Sequence, residues 1–281
     1  MAGFFGFFNK YDKEGPGISK DAPKKKTFVV FFETYFRNFW KFILINVVYT
    51  ALFLPALTHG MACAGITNVT RNIARDKHSF GISDFFETIR KNFSQSVAVG
   101  IVNTVITALL GFSVYFYYAS YAETASLVSM AGLAIALCVS MIFYMMNFYI
   151  YTLMITFDFK LKALYVNSFK FVIINLKNNF LCAVLQFLVF GIYLAVVYIS
   201  LPYIEVLAIE LLLAILLFPS FMFLMQQYFV FPAIKKYVID PYYAEHPDAD
   251  IEKRRNLGLE VEEDNNEQAD FSDERILPEE D

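Results

Sequence analysis

The stretch SQSVAVGIVNTVITALLGFSVYFYYASYAETASLVSMAGLAIALCVSMIFYMMNFYIYTLMITFDF, residues 94–159, decides the fold because it contains no lysine and no arginine. A helix needs about 20 residues to cross about 30 Å of hydrocarbon, so this stretch accommodates two crossings and a short turn. The turn is predicted in SYAETAS, which begins at Ser120. A second stretch without basic residues, 178–234, has a comparable length, with a turn predicted in LPYIE from Leu201. The sequence therefore predicts two helical hairpins.

The composition supports a membrane location for these hairpins. Hydrophobic residues make up 57% of the chain and charged residues only 18%. Soluble domains have about 45–50% apolar and about 25% charged residues. An ordinary soluble domain is excluded, and the predicted fold is an all-α, polytopic helical membrane bundle.

Basic residues occur in the gaps between the apolar stretches and indicate the orientation. Before residue 240 they fall largely in 24–26, 71–77, 90–91, 160–177 and 235–236. Because lysine and arginine collect in cytoplasmic loops, both termini are expected in the cytoplasm. The predicted organisation is a cytoplasmic basic segment over 1–36, a transmembrane domain over 37–239 and a disordered acidic cytoplasmic tail over 240–281. The tail has 16 acidic and 4 basic residues, and few apolar residues to bury.

A basic residue followed by asparagine and an aromatic side chain recurs where three apolar runs begin. The basic residues are Arg37, Lys91 and Lys177. Asparagine can cap a helix start, and aromatic rings anchor at the membrane interface. We therefore interpret the repeat as an interfacial signature rather than an active site.

The base-free stretch 42–70 is too short for two full crossings, and Pro55, His59 and Gly60 interrupt it. In one interpretation a helix over about 39–57 precedes a short helix over about 60–75, which gives about six membrane segments. In the other, the pair is a re-entrant hairpin that never reaches the outer face. The first is favoured, because broken backbone at membrane depth must be covered by protein.

Two segments between crossings are predicted to be amphipathic cytoplasmic helices. In 82–93 the apolar residues follow helical spacing, with acidic residues early and Arg90 and Lys91 late, as the helix dipole favours. In 160–177 an apolar face is formed by Tyr165, Phe169, Ile173 and Leu176. Such helices lie in the headgroup region or dock a cytoplasmic partner. The candidate docking residues are Arg90, Lys91, Lys160, Lys162, Lys170 and Lys177.

Residues that could perform chemistry are few. The sequence has no phosphate-binding glycine loop, no His-Glu-x-x-His and no Cys-x-x-Cys, so no enzyme, cofactor, metal or nucleic-acid partner is predicted. Glu210 is a candidate intramembrane carboxylate, although a solvated outer position is favoured because Glu205 is only about a turn and a half away. Asn103, Asn147 and Gln186 could line a polar path or form hydrogen bonds between helices.

Four regions carry a resemblance to a known family. They are 4–41, 64–96, 151–171 and 229–243, with FSDERI near the end. These regions resemble the YesL family of bacterial multi-pass membrane proteins of unknown function. The segment LTHGMACAG departs from the Gly-Pro-type break expected in that family. The resemblance implies a place in the bacterial cytoplasmic membrane and an association with carbohydrate uptake.

Three functions from different classes follow. The leading hypothesis is an accessory or regulatory component of carbohydrate ABC import, with importer subunits and the lipid bilayer as partners. The second is an independent small transporter or channel, which a polar cavity at mid-membrane would favour. The third is a structural protein that organises the membrane through its interfacial helices.

Overall fold

The structure, a computed structural model, describes residues 27–55 and 58–245. Regular structure in this part of the chain is entirely helical, as predicted. The helices are α1 (Thr27–Arg37), α2 (Phe39–Phe53), α3 (His59–Ala74), α4 (Ile82–Lys91), α5 (Phe93–Thr124), α6 (Leu127–Met154), α7 (Leu161–Ile174), α8 (Leu176–Ser200), α9 (Ile204–Ile234) and α10 (Asp240–Glu245). A π-helical turn, Lys235–Ile239, joins α9 to α10.

Four helices are long and apolar enough to cross a membrane, namely α5, α6, α8 and α9 with its continuation to Glu245. They form the two predicted hairpins. Ala125, in the left-handed conformation, and Ser126, whose hydroxyl accepts from the Val128 amide, turn the chain between α5 and α6. Large apolar side chains are exposed along all four helices, among them Leu109, Ile135, Phe187 and Leu212. This exposure is what lipid-facing helices require. We call the end at which α5 and α8 begin the basic end.

The α2–α3 pair is shorter. These helices have 15 and 16 residues, about 22 and 24 Å of rise, against about 30 Å of hydrocarbon. α3 contacts α2, α4, α5, α6 and α9, and most of its side chains are buried. The apolar side chains of α3 therefore contact other helices of the protein rather than lipid.

A backbone contact fixes the level of the α2–α3 turn along the axis of α5. A Cβ atom added to Gly60 would lie 2.7 Å from Gly100 Cα and 2.0 Å from the Ser96 carbonyl oxygen, so α3 and α5 meet without side chains between them. Beyond Gly100, α5 continues to Thr124, about 36 Å further. The turn therefore stops far short of the end of α5. Phe53, Leu54 and Pro55 at the break between α2 and α3 are exposed, so both the spanning and the re-entrant interpretation stay open.

The junction asparagines act differently from the prediction. Asn38 and Asn92 precede α2 and α5, but neither side chain caps the helix that follows. Their amides instead donate to carbonyls of the preceding helices, Thr34 at 3.0 Å and Thr88 at 3.1 Å. The third junction is at Asn175, before Lys177 rather than after it. Asn38 and Asn92 thus satisfy free carbonyls at helix C-termini, where the chain bends. The Asn175 amide instead donates to the Tyr149 hydroxyl at 3.1 Å.

α1 occupies the end of the segment predicted as the basic N-terminal region. Its Phe31 and Tyr35 are buried, and both rings make edge contacts with Phe221 of α9. The Tyr35 hydroxyl also donates to the Leu217 carbonyl at 3.1 Å. α1 is thus packed along the bundle. The predicted features of 1–26 and of the tail beyond 245 lie outside the described residues.

Both amphipathic segments are helices, α4 and α7. In α4, Phe85 is fully buried against Gly65 of α3, whereas Phe86 is exposed. In α7 the buried residues are Leu164, Ser168, Phe171 and Val172. Of the predicted apolar face, Phe169, Ile173 and Leu176 are exposed and do not belong to the protein core. A helix in the headgroup region has two apolar environments, protein and lipid, and its sequence pattern does not tell them apart.

The Gly60–Gly100 contact gives a direct test of the packing of α3. We expect Gly60→Ala to lower the thermal unfolding midpoint of the purified protein, since overpacking typically costs about 1–3 kcal/mol. Gly191→Ala in α8 is the matched control, because nothing lies within 4 Å of a Cβ atom there. Equal midpoints for the two variants would contradict the close approach of α3 and α5.

Candidate functional site

A cavity of about 600 Å³ lies next to the α2–α3 turn, between the α5–α6 hairpin and α9. Its volume is within the range of about 300–1,000 Å³ that ligand pockets occupy. Asn103 is ten residues beyond the start of α5, a depth of about 15 Å along that helix. The lining residues are Tyr49, Phe53, His59, Cys63, Asn103, Thr104, Thr107, Ala108, Tyr144, Asn147, Tyr151, Phe223 and Gln226.

The close approach of α3 and α5 positions the floor of this cavity. Because Gly60 contacts Gly100, the neighbouring His59 and Cys63 are brought beside Asn103 and Thr104. The break between α2 and α3 also ends two helices at this level, so that Phe53 and His59 pack against each other with ring centroids 4.5 Å apart. An unbroken helix would fill this space with its own side chains.

Asn103 is the centre of a hydrogen-bond network that joins three helices. Its amide nitrogen donates to Asn147 Oδ1 at 2.8 Å and to the Tyr151 hydroxyl at 3.3 Å, both on α6. Its carbonyl oxygen accepts from the Tyr165 hydroxyl of α7 at 2.7 Å. Asn103 is only 3% exposed, so the network forms the deep wall of the cavity. Through Tyr165, the interfacial helix α7 is bonded directly to this wall.

Two polar lining residues retain donor and acceptor capacity. His59 has only a long contact, 3.9 Å, from its Nε2 to the sulfur of Cys63. Gln226 makes no hydrogen bond within the described part of the chain. Their side chains face the space that is bounded by the rings of Tyr49, Phe53 and Phe223. These groups can bind a ligand without first breaking a hydrogen bond within the protein.

The lining contains no aspartate, glutamate, lysine or arginine. It consists of aromatic rings, aliphatic groups, hydroxyls, amides, a thiol and one imidazole. A charged ligand would lose its hydration here without gaining an opposite charge, which is costly in a low-dielectric site. The chemistry of the cavity therefore suits an uncharged molecule that offers both hydrogen-bond donors and an apolar face.

Of the four predicted intramembrane residues, the structure brings Asn103 and Asn147 into one site. Gln186 lies outside the cavity, where it accepts from the Tyr144 hydroxyl at 2.7 Å and donates to the Met222 carbonyl at 3.0 Å. It links α6 to α8 and α9 by interhelical hydrogen bonds. The sequence analysis missed His59 as a lining residue, although the helix break beside it marked the place.

Glu210 is separate from this cavity. It lines a second, largely apolar space of about 420 Å³ with Tyr35, Tyr193 and Phe218. One carboxylate oxygen accepts from the Ser200 hydroxyl, and the other is buried without a hydrogen-bond partner. The Ser200 contact joins α8 to α9 near the turn of their hairpin. The structure does not bring Glu210 together with Asn103, Asn147 or Gln186.

The six candidate docking residues, on α4 and on or beside α7, are all exposed. Lys91 forms an ion pair of 2.7 Å with Glu87, one helical turn away, and this hydrogen bond lowers the pKa of Glu87. The other five make no ion pair within the described residues. Over 27–55 and 58–245, no group of three His, Cys, Asp or Glu side chains is placed to hold a metal ion.

The fold is an all-helical bundle in which four helices are long and apolar enough to cross a membrane, and it contains a cavity with polar lining residues. Residues 42–114 match a family model described as "Protein of unknown function, DUF624". The matched region runs from α2 to the middle of α5 and includes His59, Cys63, Asn103 and Thr107 of the cavity. No curated protein and no solved structure matches the chain.

Proposed function

We propose that the protein binds a small, uncharged, hydrogen-bonding solute in its bundle cavity and carries it across the membrane. The observation that supports this proposal is the cavity itself, which combines about 600 Å³ of space with an uncharged lining. Asn103, one of the polar residues predicted to line a path through the apolar helices, lies in the wall of this cavity. The proposal assigns no catalytic role to any residue.

The lining narrows the class of solute. Tyr49, Phe53 and Phe223 offer apolar ring surface, while Asn147, His59 and Gln226 offer directional hydrogen bonds. A neutral polyhydroxylated molecule, such as a sugar, has C–H faces for the rings and hydroxyls for the amides. The resemblance to the YesL family, which implies a place in carbohydrate uptake, agrees with this class.

The architecture around the cavity also supports transport. Secondary transporters place substrate sites where broken helices meet within the bilayer. Here the α2–α3 turn adjoins the cavity, and the long hairpin α5–α6 forms the opposite wall. Movement of α6 or α9 relative to the short α2–α3 pair would open or close the site.

We propose the orientation from the distribution of charge. The basic end has Arg90, Lys91, Lys160 and Lys177 exposed, whereas Glu123 and Glu205 are the charged residues near the two opposite turns. By the positive-inside rule the basic end faces the cytoplasm. With the resemblance, this gives a bacterial cytoplasmic membrane protein with both termini in the cytoplasm.

Reconstitution tests the transport proposal. Proteoliposomes preloaded with unlabelled xylose, glucose or glycerol should accumulate the matching labelled solute by counterflow. Gln226→Leu should reduce the initial rate about tenfold, since one lost hydrogen bond to the solute is worth about 1–1.5 kcal/mol. The control is Ser113→Ala on α5, whose hydroxyl bonds only within its own helix. Equal rates for protein-containing and empty vesicles with all three solutes would contradict transport of this class.

A second candidate is the accessory role in carbohydrate ABC import. It is favoured by the six exposed basic residues on α4 and on or beside α7. Five of these six make no ion pair within the described residues. It is also favoured by Tyr165, which bonds α7 to the cavity wall at Asn103. A partner docked on α7 could in this way sense whether the cavity is occupied.

Purification from native membranes in mild detergent tests this candidate. We expect importer subunits to accompany the wild-type protein and to be lost from the charge-reversed variant Lys170→Glu/Lys177→Glu. The variant Lys236→Glu, also exposed but outside α4 and α7, should retain them. Recovery of the wild-type protein without any importer subunit would count against the accessory role.

A further inference from the structure

A separate pocket of about 340 Å³ lies at the basic end, where the junction of α1 and α2 meets the segment after α3. Its lining is polar and rich in bases, unlike that of the central cavity. The lining residues are Arg37, Asn38, Lys41, Ile73, Asp76, Lys77, His78 and Ser79. No function has been assigned above to any of these bases.

Two contacts hold the walls of the pocket together. Arg37 forms an ion pair with Asp76, and Lys41 Nζ donates to the Ser79 carbonyl at 3.0 Å. The ion pair neutralises the one carboxylate in the lining. The side chain of Lys77 has neither a hydrogen bond nor an ion pair among the described residues, and His78 packs its ring on Phe80. The pocket thus has a surplus of positive charge.

Two arginines on the last turn of α3 increase this surplus. Arg71 donates to Asn68 Oδ1 and Thr156 Oγ1, both at 2.7 Å, which leaves its buried Nε without a partner. The Arg75 guanidinium lies 3.5 Å from the centre of the Phe231 ring, and its buried Nε and Nη2 have no partner. Neither arginine is paired with a carboxylate of residues 27–55 or 58–245. A buried cation without a counter-ion is costly unless an anion is bound nearby.

The positive charges of Arg71 and Arg75 act on Lys77, which lines the pocket. Burial, followed by repulsion from Arg75 and Arg71, lowers the pKa of Lys77 to about 8. The positive form of Lys77 is therefore less favoured than that of a free lysine, and a nearby anion would favour it again. Two independent observations therefore indicate a site for an anion. One is the set of unpaired donors on Arg71 and Arg75, and the other is the pocket beside Lys41 and Lys77.

We infer that this pocket binds a phosphate group. Phosphate supplies up to two negative charges and several acceptor oxygens for Lys41, Lys77 and the Arg37 side of the pocket. The pocket is at the basic end of the apolar helices, where lipid headgroups lie, and basic pockets between membrane helices bind anionic headgroups. The same chemistry would accept free phosphate from the cytoplasm, so the source of the phosphate has to be resolved by experiment.

The test uses the full-length protein in dodecyl maltoside and follows its thermal unfolding midpoint during three titrations. The probes are dioleoyl phosphatidylglycerol, dioleoyl phosphatidylcholine and inorganic phosphate. The variants are Lys77→Gln and Lys77→Glu, which break no hydrogen bond and are therefore expected to fold. Lys162→Gln and Lys162→Glu are matched controls, because Lys162 is an exposed lysine on α7 outside the pocket.

We expect phosphatidylglycerol to stabilise the wild-type protein and both Lys162 variants. Its apparent affinity should fall about fivefold in Lys77→Gln, as about 1 kcal/mol per lysine implies, and further in Lys77→Glu. Stabilisation by phosphatidylglycerol without an effect of inorganic phosphate supports the site with a lipid as its occupant. Stabilisation by inorganic phosphate that depends on Lys77 supports the site with a soluble occupant.

Two results would overturn the inference. One is the absence of any shift in the wild-type midpoint with either anionic probe. The other is an equal loss of affinity in the Lys77 and Lys162 variants, which would mean general attraction to a basic surface. Neither outcome bears on the central cavity, because the two sites share no lining residue.

Discussion

The contact between Gly60 and Gly100 is the constraint on which the interior of the bundle depends. It allows the backbones of α3 and α5 to touch, as small residues do at membrane helix interfaces. The short α2–α3 pair is thereby fixed against the foot of the α5–α6 hairpin, and its turn stops beside the early turns of α5. The space beyond the turn stays open. A larger side chain at either glycine would push α3 away and separate His59 from Asn103.

Charge is distributed in two zones along the helices. The central cavity is lined by uncharged groups, and the basic end concentrates the lysines and arginines, some of them without partners. Charges at depth are expensive in a membrane and are tolerated near the interface, where water and headgroups compensate them. One chain can therefore offer a neutral solute site and an anion site, each at the level where its chemistry is least costly.

The sequence was sufficient to predict the helical hairpins, because 94–159 and 178–234 lack basic residues and helix length is set by bilayer thickness. It also singled out Asn103 and Asn147, which are hydrogen-bonded to each other beside the cavity. It could not distinguish them from Gln186, since all three are amides in apolar helices and only tertiary packing decides which one faces the cavity. For the α2–α3 pair and for α7 it left alternatives open. In both cases the hydrophobic pattern is the same whether the side chains meet protein or lipid.

The claim that the bundle contains a water-filled polar site is tested most directly by cysteine labelling in native membranes. In a background with Cys63, Cys138 and Cys182 replaced by alanine, Thr107→Cys faces the cavity. Val105→Cys is exposed on the same helix but does not line the cavity. A membrane-impermeant maleimide reacts with the thiolate, which forms only in contact with water. The account predicts rapid labelling at position 107 and none at 105, and equal labelling or no labelling at both positions would contradict it.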